Sequence, residues 1–277
     1  MSPSSTRPER DPRGGFAARS GRRAWRSVRL VWLILLALWT SWQVRRVWKR
    51  GPPEAAAQWA EAKQTWFFQR ILDVFQLKVT DEGTPVAGGH LAASNHIALL
   101  DIPALSAAHR GLFVAKAQIA DWPILGYIIA SAGTIFITRE RARDSVTVLS
   151  RMERAIASGR RVLFFPEGTT SPGDRVRRFH TSLFAAASRL GTPVQPVALF
   201  YEDLEDPALP NRAVPFIGEQ DVVRNLWVLF AEPEIRVRVA YLEPIIPGDD
   251  RRALADQVRA SIAHRLGVPF EEDAPQG

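Results

Sequence analysis

Two parts of the 277-residue chain have contrasting patterns of hydrophobic and polar positions. Residues 30–42 read LVWLILLALWTSW without a charge, and arginines and lysines flank them on both sides. Beyond residue 78, short apolar runs of strand length alternate with loops and with stretches of helical periodicity. Such alternation is typical of a mainly parallel sheet with crossover helices. The pattern therefore predicts an α/β fold, with a mainly parallel central sheet and surrounding helices, preceded by a hydrophobic helix.

Residues 78–277 are predicted to form one domain, since we find no internal repeat and no linker within them. Short continuous apolar runs predict buried strands, and apolar residues spaced three and four apart predict helices. The predicted strands are Leu91–Ser94, Leu112–Val114, Thr134–Thr138, Val162–Phe165, Val194–Phe200 and Ile235–Tyr241, and the predicted helices are Pro123–Ser131, Ala142–Ser158, Ser182–Leu190 and Arg251–Leu266.

Residues 22–77 are predicted to attach this domain to a membrane, and residues 1–21 to form a disordered basic tail. A helix over the 13 uncharged residues 30–42 is about 20 Å long, shorter than the roughly 30 Å hydrocarbon core of a bilayer. Seven of the nine tryptophans fall in residues 22–77, and indole prefers the headgroup level. We therefore interpret residues 22–50 as an anchor that either spans or half-inserts, followed by an amphipathic helix over residues 54–77.

The net charge of +7 is concentrated in the first fifty residues. They hold 12 Lys and Arg against two acidic residues, a balance of +10, so the other 227 residues carry −3. A basic balance confined to the anchor suits an anionic membrane surface and gives no reason to expect a nucleic-acid partner. A cleaved signal peptide is the alternative, but a basic run follows the apolar segment where a cleavage site would need small residues.

The composition excludes several kinds of chemistry. The chain has no cysteine, so it has no thiolate nucleophile, disulfide or cysteine-based metal site. It also lacks the P-loop, G-x-G-x-x-G, H-E-x-x-H and G-x-S-x-G patterns, which argues against NTPase, dinucleotide-binding, zinc-protease and serine-hydrolase activities.

A histidine and an aspartate five residues apart follow the first predicted strand of the domain. They belong to the segment Asn95-His96-Ile-Ala-Leu-Leu-Asp101, at a strand-to-helix junction. If His96 lies on the turn and Asp101 in the first helical turn, the carboxylate can accept from Nδ1–H and leave Nε2 as a base. Such a pair activates a hydroxyl group, although the spacing by itself is also common for a structural histidine.

Two further blocks follow apolar strands at the edge where open α/β sheets bind ligands. The strand in GTIFIT ends at Arg139, which is a candidate anion ligand or the partner of a nearby acid. The segment FFPEGTTS ends another strand. Within it, Gly168 permits close approach of the backbone to a ligand, and Glu167 is suited to hold a substrate hydroxyl or an arginine.

The order and spacing of these blocks resemble the PlsC-like glycerolipid acyltransferases, a family of lysophospholipid acyltransferases. NHxxxxD comes first, GTIFITR begins 37 residues after His96, and FPEGT and VQPV complete the four blocks. The resemblance covers residues 80–200. It implies a membrane-bound enzyme that moves a fatty acyl group from acyl-CoA or acyl carrier protein to the hydroxyl of a lysolipid, without a metal or a cofactor.

The resemblance also assigns roles to individual residues. His96 would be the general base that deprotonates the acceptor hydroxyl, and Asp101 would orient it. Substrate binding falls to the other residues of the blocks and to a lysine after the second predicted strand: Asn95, Lys116, Arg139, Glu167, Gly168, Thr169 and Thr170. The expected partners are the membrane lipid surface, a lysolipid and the acyl donor. The family's donors place the catalytic domain on the cytoplasmic face of the cell membrane.

Two positions depart from the family's pattern. Ala98 replaces a serine that is frequent in NHxS, which removes a hydroxyl and leaves the pair of His96 and Asp101 whole. Thr170 replaces the arginine of FPEGTRS, which is usual in members that make phosphatidic acid, so one phosphate ligand is missing. The main expected acceptor is 1-acyl-sn-glycerol-3-phosphate. The FPEGTTS block is similar to the branch that acylates lyso-ornithine lipid, which has no phosphate and is the alternative acceptor.

Two other classes of function remain open. With water in place of the acceptor, the same pair would make the chain a thioester or lipid hydrolase, although the sequence has no nucleophilic serine elbow. The third possibility is a non-catalytic, membrane-tethered lipid-binding protein. The intact His, Asp, Glu and Gly of the four blocks argue against it.

Overall fold

The computed structural model describes residues 14–50, 53–108, 111–131, 134–137, 142–218 and 221–270. In these parts of the chain the helices are α1 (Phe16–Arg50), α2 (Pro53–Phe75), α3 (Asp101–Ala108), α4 (Leu125–Ser131), α5 (Ala142–Ala157), α6 (Ala185–Leu190), α7 (Val222–Leu229) and α8 (Arg251–Leu266). The strands are β1 (Leu77–Gly83), β2 (Leu91–Ser94), β3 (Leu112–Lys116), β4 (Ile135–Ile137), β5 (Val162–Phe164), β6 (Val194–Glu202) and β7 (Ile235–Tyr241). Short 3₁₀ helices cover Ala117–Asp121 and Ser182–Phe184.

The strands form one sheet in the order β1-β7-β6-β2-β5-β3-β4. Neighbouring strands are parallel except for β6 and β7, which are antiparallel. Parallel neighbours require long crossover connections, and helices such as α3 and α5 supply them. The predicted α/β fold, with a mainly parallel sheet and surrounding helices, is confirmed.

Hydrophobic side chains cover both faces of the sheet. On one face the core is built with α5 and α8, through residues such as Met152 and Val258. On the other face it is built with α2, α3 and the end of α7, through Phe75, Leu105 and Leu229. The central strand β2 is buried along its whole length, and its residues Leu91, Ala92 and Ala93 are apolar in succession and do not alternate with polar residues.

The two N-terminal helices pack against each other and against the domain. The face of α1 that contains Leu33, Ala37 and Val44 is buried. The opposite face exposes a row of large apolar side chains, spaced alternately by three and four residues: Trp25, Val28, Trp32, Leu35, Trp39 and Trp42. By length and composition, Phe16–Arg46 is the one stretch among the described residues that could cross a membrane.

Several elements differ from the prediction. Helix α1 begins at Phe16, so the last residues of the predicted disordered tail are helical; residues 1–13 lie outside the described residues. The sequence did not predict β1, because its run LKVTDEG is mostly polar and partly exposed. The helix expected to begin at Asp101 is α3, whose length the sequence did not predict, and α7 was not predicted at all; both are eight residues long, too short to establish a helical period.

Candidate active site

Most of the candidate residues lie along one edge of the sheet, at the carboxyl ends of its parallel strands. His96 follows β2, and Glu167 follows β5, which is the neighbouring strand. Beyond β5, strand β3 ends at Lys116, and on the other side of β2 Tyr201 lies near the end of β6. This edge is where open α/β sheets bind ligands, because the strand ends leave a crevice between their loops.

His96 lies in the loop between β2 and α3, and Asp101 is the first residue of α3. Nδ1 of His96 is 2.7 Å from Oδ2 of Asp101. The His96 side chain is 20% exposed, whereas the Asp101 side chain is fully buried. The carboxylate therefore favours the tautomer that carries its proton on Nδ1, which leaves Nε2 to accept a proton from a substrate.

Asp101 is held by three further donors. Its Oδ2 also accepts hydrogen bonds from the backbone amides of Ile97 and Ala98, at 2.7 and 3.0 Å. Its Oδ1 accepts a hydrogen bond from the hydroxyl of Tyr201 at 2.8 Å. Burial is the main cause that raises the pKa of the Tyr201 phenol well above its usual value, and the adjacent Asp101 carboxylate raises it further. The phenol therefore remains a donor. Four donors thus fix one carboxylate.

Replacing Tyr201 by Phe removes the donor to Oδ1 of Asp101. Because a hydrogen bond to a charged group contributes about 1.5–3 kcal/mol, we expect Tyr201→Phe to lower the free energy of unfolding by a similar amount. Activity should fall by less than in a variant of Asp101 itself, since the other three donors remain. Denaturant unfolding and steady-state kinetics on one preparation measure both effects, and an unchanged free energy of unfolding would contradict the structural role of this bond.

The imidazole ring of His96 stacks on the ring of Phe165. The ring centroids are 4.0 Å apart, and the ring planes are inclined by 11°. Phe165 follows β5 directly and begins the FPEGT segment. The stack fixes the plane of the imidazole, while the bond to Asp101 fixes its tautomer.

Glu167 braces the backbone of His96. The residue is 4% exposed; its Oε1 accepts from the amide of His96 at 3.0 Å and its Oε2 from the amide of Arg177 at 3.4 Å. Burial raises the pKa of the Glu167 carboxyl to about 7, against the lowering effect of these hydrogen bonds. Because both oxygens face backbone amides inside the protein, these contacts support a bracing role and not the predicted contact with a substrate hydroxyl.

Glu167→Gln is expected to change how stability depends on pH. Between pH 4.5, its ordinary pKa, and the folded-state value of about 7, the unfolded chain releases the Glu167 proton while the folded chain retains it. The free energy of unfolding of the wild type should therefore fall as pH rises through this window, by about 3 kcal/mol relative to the variant, which does not titrate at this position.

Denaturant unfolding at about pH 4.5, 6 and 8 measures this difference. Glu243→Gln, at an exposed position after β7, is the matched control and should follow the wild type. If the wild type and Glu167→Gln show parallel pH dependences, Glu167 does not hold a proton in the folded state and the assignment is wrong.

The turn after β5 also holds the loop that carries His96. The amide and the hydroxyl of Ser171 both donate to the carbonyl of His96, at 2.8 and 3.2 Å. Gly168 has a φ of +68°, a left-handed conformation that favours glycine, and its amide donates to the carbonyl of Phe165 at 3.0 Å. The FPEGTTS segment therefore fixes both the amide and the carbonyl of His96.

Thr170 joins this turn to the loop between β6 and α7. Its hydroxyl donates to the carbonyl of Phe216, and the amide of Phe216 donates to the carbonyl of Ile97 at 3.0 Å. Three loops thus meet beside His96. The hydroxyl proton of Thr170 is used within the protein, so Thr170 shapes the rim of the site, and its predicted contact with a substrate stays a prediction.

The remaining predicted residues lie in different environments. Asn95 is 1% exposed. Its side-chain nitrogen donates to the carbonyl of Leu199 at 3.0 Å, and its side-chain oxygen accepts from the amide of Leu199 at 2.8 Å. Asn95 therefore joins β2 to β6 and does not face a substrate as predicted. Lys116 is the last residue of β3 and Thr169 lies in the turn after β5, and both are exposed. Arg139 lies outside the described residues.

Within the described part of the chain, no group of three or more His, Asp or Glu side chains is placed to hold a metal ion.

Sequence reasoning missed three residues that act on His96 or Asp101. Tyr201 shares the buried side of β6 with Val197 and Leu199, so a lone hydroxyl on an apolar strand face was the available signal. Phe165 and Ser171 belong to a block that the sequence singled out. Their contacts with His96 depend on how two loops meet, which spacing along the chain does not reveal.

A cavity of about 480 Å³ lies between β6, β7 and α8 and does not include the pair of His96 and Asp101. Its wall contains the ion pair of Glu202 and Arg238, at 2.8 Å. Side chains alternate along β6, so Phe200 points into this cavity while Tyr201 points toward Asp101. The cavity is thus separated from the candidate active site by the sheet.

A buried carboxylate that orients a histidine at the carboxyl edge of an α/β sheet is an arrangement that activates a hydroxyl group. The sequence model of the family described as Acyltransferase matches residues 76–200. The chain is 34% identical over 239 residues to a lyso-ornithine lipid O-acyltransferase of Pseudomonas aeruginosa, covering 86% of this chain and 90% of that protein. The chain belongs to the acyltransferase family and is an enzyme of that class.

Two further comparisons extend this result. The chain is 34% identical over 176 residues to a 1-acyl-sn-glycerol-3-phosphate acyltransferase of Neisseria meningitidis, covering 63% of this chain and 68% of that protein. Its fold is similar to the crystal structure of the 1-acyl-sn-glycerophosphate acyltransferase PlsC from Thermotoga maritima, with a TM-score of 0.61 and 19% identity, over 87% of this chain and 96% of that one.

Proposed function

We propose that the chain transfers a fatty acyl group from a thioester, acyl-CoA or acyl-acyl carrier protein, to the hydroxyl of a lysolipid. The observation that carries the proposal is the 2.7 Å contact between Nδ1 of His96 and the buried carboxylate of Asp101. A histidine oriented in this way is suited to remove the proton of an alcohol. Membership of the acyltransferase family supports acyl transfer as the reaction that uses this proton transfer.

In the proposed reaction, Nε2 of His96 accepts the hydroxyl proton as the acceptor oxygen attacks the carbonyl carbon of the thioester. The new C–O bond forms while the carbonyl electron pair moves onto its oxygen, and Asp101 stabilises the imidazolium. Collapse of the tetrahedral intermediate breaks the C–S bond. The imidazolium then returns its proton to the departing thiolate, and no acyl-enzyme forms because the acceptor attacks directly.

Lyso-ornithine lipid is the acceptor that we favour, which reverses the order of the two acceptors expected from the sequence. The relative named for this acceptor aligns with 86% of the chain, and the relative named for 1-acyl-sn-glycerol-3-phosphate aligns with 63%. Thr170 supports the same choice. Thr170 stands in place of a cation, and a threonine side chain is neutral, so this position supplies no positive charge for a phosphate. Its hydroxyl donates to the carbonyl of Phe216.

1-acyl-sn-glycerol-3-phosphate is the second candidate acceptor, because the chain is 34% identical to an enzyme named for it. Lys116 is the residue that would bind its phosphate, since it is exposed at the end of β3, on the same sheet edge as His96. The product of that reaction would be phosphatidic acid.

The two acceptors are separated by offering each to the purified protein with acyl-CoA and, separately, with acyl-acyl carrier protein. We expect faster transfer to lyso-ornithine lipid. Thr170→Arg should lower that rate and raise the relative rate with 1-acyl-sn-glycerol-3-phosphate, because it breaks the contact with Phe216 and adds a cation. Thr170→Ser keeps the hydroxyl and is the matched control. A wild-type preference for 1-acyl-sn-glycerol-3-phosphate would overturn the acceptor assignment and leave acyl transfer intact.

We further propose that the enzyme works at the surface of the cell membrane. Its acceptor is a lipid, and the exposed apolar row of α1 is suited to contact with the hydrocarbon and headgroup regions. The acyl donors named above are cytoplasmic molecules, so the catalytic domain is proposed to face the cytoplasm.

A further inference from the structure

Helix α7 exposes apolar residues on the side that points away from the domain. Asn225 and Leu229 are buried, whereas a second set of side chains is exposed, which we call the α7 face: Val223, Arg224, Trp227 and Val228. A helix at the surface of a soluble domain normally places polar residues outward. An exposed cluster of large apolar side chains marks a surface that contacts a partner.

Three arginines from α1 cover the carboxyl end of α7. The last turn of a helix leaves backbone carbonyls without partners in the helix. Arg26, which is 4% exposed, donates to the carbonyls of Leu229, Phe230, Glu232 and Pro233. Arg22 donates to the carbonyl of Ala231, and Arg23 donates to the carbonyl of Trp227. Guanidinium groups therefore occupy the positions that water would take at an exposed helix end.

This arrangement suits a helix end that lies beside lipid. Backbone carbonyls need partners within the protein where water is scarce, because an unpaired carbonyl in an apolar medium is strongly unfavourable. The same contacts join the α7 face to α1. The guanidinium of Arg23 lies 5.0 Å from the ring centroid of Trp227, next to the N-terminal end of the exposed apolar row of α1.

We propose that the α7 face is a lipid-contacting surface, which lies in the headgroup region of an anionic membrane beside α1. The ring of Trp227 suits that depth because it is apolar with one polar N–H. Arg224 and Arg23 complement anionic headgroups, whereas the carboxylate of the N-cap Asp221 accepts from the amide of Val223 at 2.8 Å. The proposal deepens the proposed function and rests on it for the presence of a lipid substrate.

The contact would also set the position of the active site. The loop that leads into α7 contains Phe216, whose amide is bonded to Ile97, the residue after His96. With the α7 face on the membrane, this loop lies at the lipid surface and the rim of the site opens near the layer that holds the acceptor.

Because the chain contains no cysteine, a single cysteine can be introduced at one position and labelled with a nitrobenzoxadiazole fluorophore. Val223→Cys reports on the α7 face and Val28→Cys on α1. Ile246→Cys is the matched control: it is 71% exposed, against 70% for Val223, and it follows β7 at the opposite edge of the sheet. Each labelled full-length protein is mixed with vesicles of phosphatidylethanolamine and phosphatidylglycerol, with and without nitroxide-labelled lipid.

We expect the labels at positions 28 and 223 to shift their emission to shorter wavelength and to be quenched by the nitroxide lipid, while the label at 246 stays unchanged. The effect at 223 should weaken on phosphatidylcholine vesicles, which lack anionic headgroups. The proposal would be overturned if the label at position 28 responds to the vesicles and the label at 223 does not. It would also be overturned if the labels at 223 and 246 respond equally. Shielding of the label at 223 that grows with protein concentration in the absence of vesicles would also overturn it, in favour of a second copy of the chain.

These measurements need no turnover. Acyl transfer is assayed on the same three labelled proteins, so that loss of lipid contact at α7 and failure of the proposed reaction are observed separately.

Discussion

His96→Ala is expected to lower kcat/KM for acyl transfer to a lysolipid by at least about a hundredfold, because the acceptor hydroxyl then lacks the base that takes its proton. The His96 side chain is 20% exposed and lies in a loop whose backbone is fixed by Glu167 and Ser171. The loop should therefore keep its conformation in the variant. Initial rates of thiol release, measured with saturating thioester and varied lysolipid, give the value.

His264→Ala is the matched control for this substitution. His264 is exposed in the last turn of α8, on an element that carries none of the candidate site residues, so the variant should retain the wild-type rate. A His96→Ala protein that acylates lysolipid at the wild-type rate would contradict the base role of His96.

Asp101→Asn is expected to have an effect of similar size, a loss of at least about a hundredfold in kcat/KM. Asparagine has the shape of aspartate but no charge, so it cannot stabilise the imidazolium that forms during proton transfer. In one of its two orientations, the amide group also conflicts with the site. If the NH₂ group takes the place of Oδ2, it faces three donors, namely Nδ1–H of His96 and the amides of Ile97 and Ala98.

Thermal unfolding of Asp101→Asn separates a catalytic loss from a folding defect. Asp256→Asn, on the exposed side of α8, is the control and should match the wild type in both rate and stability. An Asp101→Asn protein that is folded and retains more than about a tenth of the wild-type kcat/KM would contradict the orienting role of Asp101.

The sheet was predictable because its strands are buried on both faces. A parallel strand such as β2 must present apolar residues to both layers of helices, and a continuous apolar run of that length is visible in the sequence. Strand β1 lies at the edge and pairs with β7 alone, and Leu77 is the one buried residue of its run LKVTDEG, so the run is mostly polar without a clear alternation. It therefore resembled a loop. Helix α7 is eight residues long and begins at an N-cap, Asp221, whose carboxylate accepts from the amide of Val223; a sequence window this short does not distinguish such a helix from a turn.

The candidate site was predictable where its contacts are local. His96 and Asp101 are five residues apart, and a strand-to-helix junction brings them together whatever the rest of the fold does. Tyr201 reaches Asp101 across 100 positions of the chain, and only the sheet order places β6 beside β2. Long-range contacts of this kind have no signature in spacing.

The polar residues of the blocks show a second limit. Asn95 and Glu167 carry groups that could bind a substrate, and a polar residue at a strand end looks the same whether it faces a ligand or a backbone amide. The structure buries both side chains and directs them to backbone groups of Leu199, His96 and Arg177. Burial depends on the loops packed over the strand ends, and these loops come from distant parts of the chain.

Acyl transfer to a lysolipid is tested most directly by following thiol release and acylated lipid together in the purified wild-type protein. Acyl-CoA and acyl-acyl carrier protein are each offered with lyso-ornithine lipid and with 1-acyl-sn-glycerol-3-phosphate, and the lipids are identified by mass spectrometry. We predict that thiol release requires an acceptor and that one acylated lipid appears for each thiol. Free fatty acid formed at the same rate with and without lysolipid would show hydrolysis instead and contradict acyl transfer, as would the absence of thiol release with every combination.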